Sequence, residues 1–279
     1  MVKICYPPGH FFSPIVDPEQ LRRVVPKTRP MPPKSLPDVA IDDAAMTKLW
    51  TDVLAPIANT ATFSDEPGKV HRYHYKNPSY CVGDGTVLRA MLLSIKPKRM
   101  VEVGCGWSSA CTMDTIEEGE LTTQITFVEP FPKLLRDVLR ENDIARARII
   151  EAGVQDAPME IFTELEAGDI LFIDSTHVVK TGSDVAYELA EILPRLNPGV
   201  IIHFHDIFYP FEYGYKWIME DNRSWNEIYS IRSFLAFNSC FHIMFFNDYM
   251  AQLHGDHMLK TFPPFIRNSG GALWLRRLY

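Results

Sequence analysis

The stretch Val101-Glu102-Val103-Gly104-Cys105-Gly106-Trp107-Ser108-Ser109 decides the predicted fold. Its first residues continue a short apolar run, and Gly104 and Gly106 suit the turn by which a β-strand passes into a helix. Glycine has no side chain, so a ligand can approach this backbone closely. The stretch therefore predicts a ligand site at the carboxyl end of a strand.

Outward from this turn, short runs rich in β-branched and aromatic residues alternate with helical segments. This alternation predicts an α/β fold with a parallel sheet. Beyond residue 225 two strands follow each other with no long helix between them, which predicts an antiparallel ending. The predicted strands are 99–103, 125–128, 148–150, 170–173, 200–204, 241–246 and 272–275, and the predicted helices are 85–95, 109–117, 133–142, 159–165, 183–196 and 226–237.

The first 80 residues differ in composition from the rest. Nine of the 21 prolines lie in the first 40 residues, which predicts an extended arm or lid. A helix is predicted at 41–58, ended early by Pro56, and residues 71–76 are interpreted as a solvated, partly packed connection. We therefore divide the chain into an arm, 1–80, and a domain, 81–279.

Composition excludes several classes of protein. The chain has 28 Lys and Arg against 35 Asp and Glu, a net charge of −7, which argues against a nucleic-acid partner. No apolar run approaches the roughly 18 residues of a membrane span, and the proline-containing start does not resemble a signal peptide, so a cytoplasmic protein is expected. Five scattered cysteines without a C-x-x-C motif indicate neither a disulfide framework nor a thiolate zinc site.

Acidic residues accompany the glycine turn. A dinucleotide-binding fingerprint would place a third glycine at Ser109, and the carboxylate of Glu102 would repel a pyrophosphate. Glu102 suits a cationic ligand such as a sulfonium amino acid. At the next strand end Glu129 can accept hydrogen bonds from both hydroxyls of a ribose, and Gln155 or Asp156 follows the third strand, where either can accept from an adenine amino group. Asp84 is a further candidate for cofactor contact.

Four segments resemble the successive motifs of class I S-adenosylmethionine (SAM)-dependent methyltransferases: 102–106, 127–130, 168–174 and 196–200. The resemblance covers about residues 83–279. It implies a Rossmann-like, seven-stranded, mostly parallel sheet with one antiparallel strand and helices on both faces. It also implies that Glu102 and the turn residues hold the methionine part of SAM, Glu129 the ribose and Asp156 the adenine; the turn residues are Gly104, Cys105, Gly106 and Ser108.

Two neighbouring strand ends carry a second polar cluster, formed by Asp174 and His177 after the fourth strand and by His205 and Asp206 after the fifth. Ligands bind at the carboxyl ends of strands in such sheets, so these groups are expected beside the methyl donor. Two mechanisms remain open. Either His177 or His205 is a general base, or Asp174 and Asp206, with or without His205, bind Mg²⁺, Mn²⁺ or Fe²⁺. His203 is interpreted as a buried structural residue.

An aromatic segment, 208–217, follows the fifth strand directly. We interpret it either as a wall of the substrate pocket or as a support for the proline-rich arm. The sequence favours a methyltransferase acting on a small molecule, more on oxygen than on nitrogen. The alternatives are an NAD(P)-dependent oxidoreductase and a non-catalytic cofactor-binding protein, and the arm is compatible with a homo-oligomer contact.

Overall fold

A computed structural model describes residues 4–279. Seven strands form one sheet in the order β3-β2-β1-β4-β5-β7-β6, and the predicted α/β class is confirmed. The strands are β1 Arg99–Val103, β2 Gln124–Val128, β3 Arg148–Ile150, β4 Ile170–Ile173, β5 Ile201–Phe204, β6 Phe241–Phe246 and β7 Leu273–Arg277.

The directions of the strands also agree with the expectation. β1 pairs in parallel with β2 and β4, and the parallel arrangement continues through β3 and β5. β7 is antiparallel to both of its neighbours, β5 and β6. One reversed strand is thus inserted near one edge, and the carboxyl ends of β1, β4 and β5 lie side by side at the centre of one sheet edge.

Helices surround the sheet. They are α1 Pro18–Leu21, α2 Asp43–Leu49, α3 Ala55–Ala58, α4 Val82–Ile95, α5 Trp107–Glu118, α6 Lys133–Val138, α7 Glu141–Arg146, α8 Glu160–Thr163, α9 Asp184–Tyr187, α10 Glu227–Leu235, α11 Asn247–Leu253 and α12 Gly255–Thr261. In the part of the chain that the structure describes, no helix is long and apolar enough to cross a membrane.

Three predicted helices differ in kind from the observed ones. The predicted helix 183–196 is α-helical only in α9, which is followed by the π-helical segment Glu188–Ile192 and the 3-10 segment Leu193–Arg195. Pro56 does not end the first helix, because the π-helical segment Trp50–Leu54 joins α2 to α3 and Pro56 lies in the first turn of α3, where a missing N–H costs little. The predicted helix 133–142 is divided between α6 and α7, because Leu139 and Arg140 adopt extended backbone angles.

The connection at 71–76 is more buried than predicted. The guanidinium of Arg72 is only 5% exposed and lies 2.6 Å from both Asp114 and Asp143. The backbone N–H groups of Arg72 and Tyr73 donate to Asp114 as well. These ion pairs hold the connection against α5 and α7. The hydrogen bonds within the cluster offset the cost of burying its charged groups.

The arm contacts the aromatic segment 208–217. The hydroxyl of Tyr209 donates to the carbonyl of Pro33 at 2.7 Å. Arg29 forms an ion pair with Asp248 at 3.0 Å and also donates to the carbonyl of Tyr209. The arm therefore packs beside the central carboxyl ends of the strands, where the candidate site lies.

Candidate functional site

A small cavity of about 150 Å³ lies against the glycine turn between β1 and α5. Gly104 has a φ of +78°, and a Cβ at this position would lie 1.7 Å from the carbonyl oxygen of Asp174. The turn is therefore built on the absence of a side chain. We call this space the turn cavity; it is lined by Ser79, Tyr80, Gly104, Cys105, Gly106, Trp107, Ser108, Glu129, Leu134 and Asp174.

Glu102 lies beneath the turn and is fully buried. One of its oxygens, Oε1, accepts hydrogen bonds from the hydroxyls of Ser108 at 2.6 Å and Ser109 at 2.7 Å. Its other oxygen, Oε2, has no hydrogen-bond partner among residues 4–279. Burial raises the pKa of Glu102 to about 8. This direction favours the protonated form of Glu102, and the residue lines neither the turn cavity nor the two cavities described below, so its contact with a cationic ligand stays a prediction.

Glu129 borders the turn cavity and a second space of about 390 Å³, the edge cavity. Its carboxylate accepts hydrogen bonds from the backbone N–H groups of Cys105 at 3.1 Å and Phe131 at 2.8 Å. The edge cavity is also lined by Gly153, Val154 and Gln155. Glu129 thus stands where one elongated ligand would pass from the first space into the second.

Three predicted cofactor contacts do not line the turn or edge cavity, and Glu102, beneath the turn, is the first of them. Asp156 is exposed and does not line the edge cavity, whereas its neighbour Gln155 does. Asp84 is buried and faces a third space, where it accepts a hydrogen bond from Asn247 at 3.3 Å. Burial raises the pKa of Asp84 to about 6.

The third space, the aromatic cleft, has a volume of about 440 Å³. Phe208 and Trp217 contribute aromatic walls, His205 and Asp206 lie at its inner end, and Arg29 reaches it from the arm. Both interpretations of the segment 208–217 therefore have a counterpart, since Phe208 and Trp217 line the cleft while Tyr209 supports the arm. Tyr80 lines both the aromatic cleft and the turn cavity.

His177 lies where the cavities approach each other. Its Nε2 atom is 3.4 Å from Oδ1 of Asp174, which borders the turn and edge cavities, and 3.6 Å from Oδ2 of Asp206, which borders the aromatic cleft. The structure thus brings together three residues that the sequence placed at two different strand ends. His205 completes the group, with its Nε2 atom 3.5 Å from Oδ1 of Asp206.

The charges in this group are coupled. Burial would lower the pKa of His177, but the carboxylates of Asp174 and Glu227 outweigh it and raise that pKa well above its usual value. For Asp206 burial is the largest effect, and it raises the pKa of the carboxyl group. For Asp174 the positive charges of His205 and His177 outweigh burial, so its pKa is lowered. The raised pKa of His177 favours an imidazolium, whereas a general base would have to be a neutral imidazole.

His203 is separate from this chemistry. It is fully buried, its ring stacks on Phe172 at 4.0 Å, and neither ring nitrogen has a hydrogen-bond partner in the described part of the chain. Burial lowers its pKa well below the usual value. A structural role agrees with the sequence interpretation.

Sequence reasoning missed Glu227, the first residue of α10. Its Oε2 atom lies 2.7 Å from Nδ1 of His177, and the residue is 1% exposed. The sequence separation of 50 residues leaves no pattern that pairs the two. The available signal was an acidic residue near the start of the predicted helix 226–237.

The groups proposed for a metal ion do not have metal-binding spacing. Within residues 4–279, no group of three or more His, Cys, Asp and Glu side chains is arranged to hold an ion. Instead, Nε2 of His177 stands between the carboxylates of Asp174 and Asp206. The residues as placed therefore do not fit the divalent ion that the sequence left open, and we derive no step through one.

Residues 101–207 match a protein-family model described as a methyltransferase domain, which confirms the resemblance found in the sequence motifs. An uncharacterized protein of Archaeoglobus fulgidus is 26% identical over 167 residues, which are 58% of this chain and 74% of the relative.

Two similar solved structures are also methyltransferases. The SAH-bound methyltransferase of Podospora anserina is 17% identical, with coverage of 87% of this chain and 91% of that chain and a TM-score of 0.45. A methyltransferase from Geobacter sulfurreducens is 14% identical, with coverage of 95% and 98% and a TM-score of 0.41.

Proposed function

From the methyltransferase domain at residues 101–207, we propose that this protein transfers the methyl group of SAM to a hydroxyl oxygen of a small molecule. The observation that carries the proposal is the meeting of three spaces at one cluster. Asp174 borders the turn and edge cavities, Asp206 borders the aromatic cleft, and Nε2 of His177 lies within 3.6 Å of both carboxylates.

The turn and edge cavities suit the methyl donor. They share Gly104, Glu129 and Asp174, so a ligand can extend continuously along the ends of β1, β2 and β4. A positive charge at the turn would favour the ionised form of the buried Glu102, and Glu129 can bind the ribose hydroxyls. When SAM is bound, it supplies a methyl carbon attached to a positively charged sulfur.

The aromatic cleft suits a neutral acceptor. Arg29 and Lys216, which line it, are each paired with a carboxylate, since Arg29 lies 3.0 Å from Asp248 and Lys216 lies 2.6 Å from Asp221. The inner end carries the carboxylate of Asp206 and the buried carboxyl group of Asp84. A hydroxyl group can donate to these oxygens, whereas an anionic group would be repelled.

Asp206 is the proton acceptor in this scheme. With SAM held in the turn and edge cavities, attack of the hydroxyl oxygen on the methyl carbon would break the carbon–sulfur bond, whose electron pair would stay on sulfur, and the hydroxyl proton would pass to Asp206. The raised pKa of Asp206 improves its basicity for this step.

The experiment is a binding measurement followed by an acceptor screen. Calorimetry with SAH and with NAD separates the proposal from an oxidoreductase, because we expect heat of binding with SAH alone. Purified protein, SAM and a panel of neutral hydroxylated compounds are then incubated, and SAH formation is measured. Failure to bind SAH refutes the methyl-donor assignment, while binding without turnover across the panel favours the non-catalytic alternative.

A further inference from the structure

We propose that Glu227 is a positioning residue for methyl transfer, acting through His177 on the pair of carboxylates between the methyl donor and the acceptor. This inference rests on the proposed function. Nothing in the motif pattern of the sequence assigns a role to Glu227, and it contacts none of the three spaces itself.

The first step of the argument is the direction of the imidazole ring. Glu227 Oε2 lies 2.7 Å from Nδ1 of His177. The ring is rigid, so a hydrogen bond at Nδ1 fixes where Nε2 points. In this orientation Nε2 lies 3.4 Å from Asp174 and 3.6 Å from Asp206. Loss of the hydrogen bond would free the ring to rotate away from both carboxylates.

The second step is the backbone around His177. Its φ of +60° is uncommon for a residue other than glycine. The N–H groups of Asn226 and Glu227 both donate to the carbonyl oxygen of His177, each at 3.1 Å. Asn226 also accepts a hydrogen bond from the N–H of Val179 at 2.6 Å. A left-handed residue persists when its surroundings hold it in place.

The third step is the packing of the ring itself. The indole of Trp225 lies 4.4 Å from the His177 ring, centroid to centroid. Three successive residues thus contact His177: Trp225 packs on its ring, Asn226 donates to its carbonyl oxygen, and Glu227 lies against Nδ1. This set of contacts restrains the position of the ring as well as its rotation.

The fourth step concerns charge. A helix favours an acidic residue in its first turn, and this would account for an exposed carboxylate at the start of α10. Glu227 is instead 1% exposed, and its Oε1 atom has no hydrogen-bond partner among the described residues. A buried carboxylate with a free oxygen is costly for stability alone. The cost is explained if the carboxylate serves to hold His177.

The test compares two glutamates that are equally buried. Glu227→Gln keeps the shape of the side chain, and Glu188→Gln makes the same change at a second fully buried position, whose carboxylate accepts from Ser175 at 3.0 Å. Calorimetry with SAH on the full chain first establishes that each variant is folded and binds. We expect SAH affinity within about twofold of the unmodified protein for both.

The first discriminating readout is nuclear magnetic resonance of the protein with ¹⁵N-labelled histidine. The Nδ1 proton of His177, identified by its loss in His177→Asn, is expected downfield because it is donated to a carboxylate. Glu227→Gln should move or remove this resonance, whereas Glu188→Gln should leave it. An unchanged resonance in Glu227→Gln would overturn the inference, whatever the acceptor proves to be.

The second readout is turnover with the hydroxylated compound that gives the most SAH in the acceptor screen. We expect Glu227→Gln to lower kcat at least tenfold with the acceptor KM within twofold, and the His177→Asn and Glu227→Gln effects to be non-additive in the double variant. If the unmodified protein turns over the acceptor and Glu227→Gln has the same kcat, only the positioning role is refuted. Absence of turnover by the unmodified protein refutes the proposed function instead.

Discussion

Replacement of Gly104 by alanine tests the glycine turn most directly. The residue has a φ of +78°, which costs an alanine about 1–2 kcal/mol. In addition, the new Cβ would lie 1.7 Å from the carbonyl oxygen of Asp174, so the end of β4 must retreat by more than about 1 Å to reach an ordinary contact. Overpacking of this kind costs about 1–3 kcal/mol more.

Gly168→Ala is the matched control. Gly168 has a φ of +88°, and a Cβ there would meet no atom within 4 Å. We expect Gly168→Ala to lower the free energy of unfolding by about 1–2 kcal/mol without changing SAH affinity. Gly104→Ala should lower it by about 2–5 kcal/mol in total. Its SAH affinity should fall at least about tenfold, because the displaced residues line both donor cavities.

The assays are urea denaturation followed by fluorescence, and calorimetry with SAH at a temperature where both variants are folded. The two variants have the same backbone penalty, so the difference between them isolates the contact with Asp174. If Gly104→Ala binds SAH as tightly as Gly168→Ala does, the close approach of the turn to β4 is not part of the ligand site, and the reasoning fails.

Four further outcomes are expected. Glu129→Ala should weaken SAH binding by about 1.5–3 kcal/mol through loss of charged hydrogen bonds; an unchanged dissociation constant would contradict the ribose assignment. Arg72→Met should destabilise the protein by about 3–5 kcal/mol in urea because it leaves buried carboxylates unpaired, whereas Arg136→Met, at an exposed pair, should cost at most about 1 kcal/mol. Although burial opposes it, Arg72 lowers the pKa of Asp143. The stabilisation from this pair is therefore present above the usual Asp pKa and is lost as the pH falls through the lowered value. Unfolding of Arg72→Met should then be less acid-sensitive than unfolding of the unmodified protein, and equal acid sensitivity would refute the pairing. Because His177 stands between the carboxylates proposed for an ion, methyl transfer should survive chelator treatment, and activity restored only by added Mg²⁺ would disprove the metal-free scheme.

Much of the sheet could be predicted from sequence because strands buried on both faces read as continuous apolar runs. β1, β3, β4 and β6 have the predicted bounds, and β2 and β5 differ by one residue at their starts. The first helix was predicted to end at Pro56 because helix propensity does not reveal a π-helical segment. In the structure such a segment precedes the proline and accommodates it.

The site was predictable where its residues follow strands directly. Asp174, His177, His205 and Asp206 were expected together because adjacent parallel strands end at the same edge, and the structure places them together. Glu227 was not predictable, because α10 reaches His177 from a separate part of the chain. The charge of His177 also depends on that contact, so a histidine taken alone suggested a neutral base.

The paired glycines before β7 have a consequence for the order in which the protein is made. A Cβ on Gly270 would lie 1.9 Å from Asp84, and one on Gly271 would lie 2.9 Å from Cα of Asp206. The backbone of these two glycines thus closes the aromatic cleft next to its carboxylates, although they are synthesised more than 60 residues after β5 begins. The residues that line the turn and edge cavities all precede residue 185, whereas the lining of the aromatic cleft is complete only once residues 270 and 271 have been synthesised.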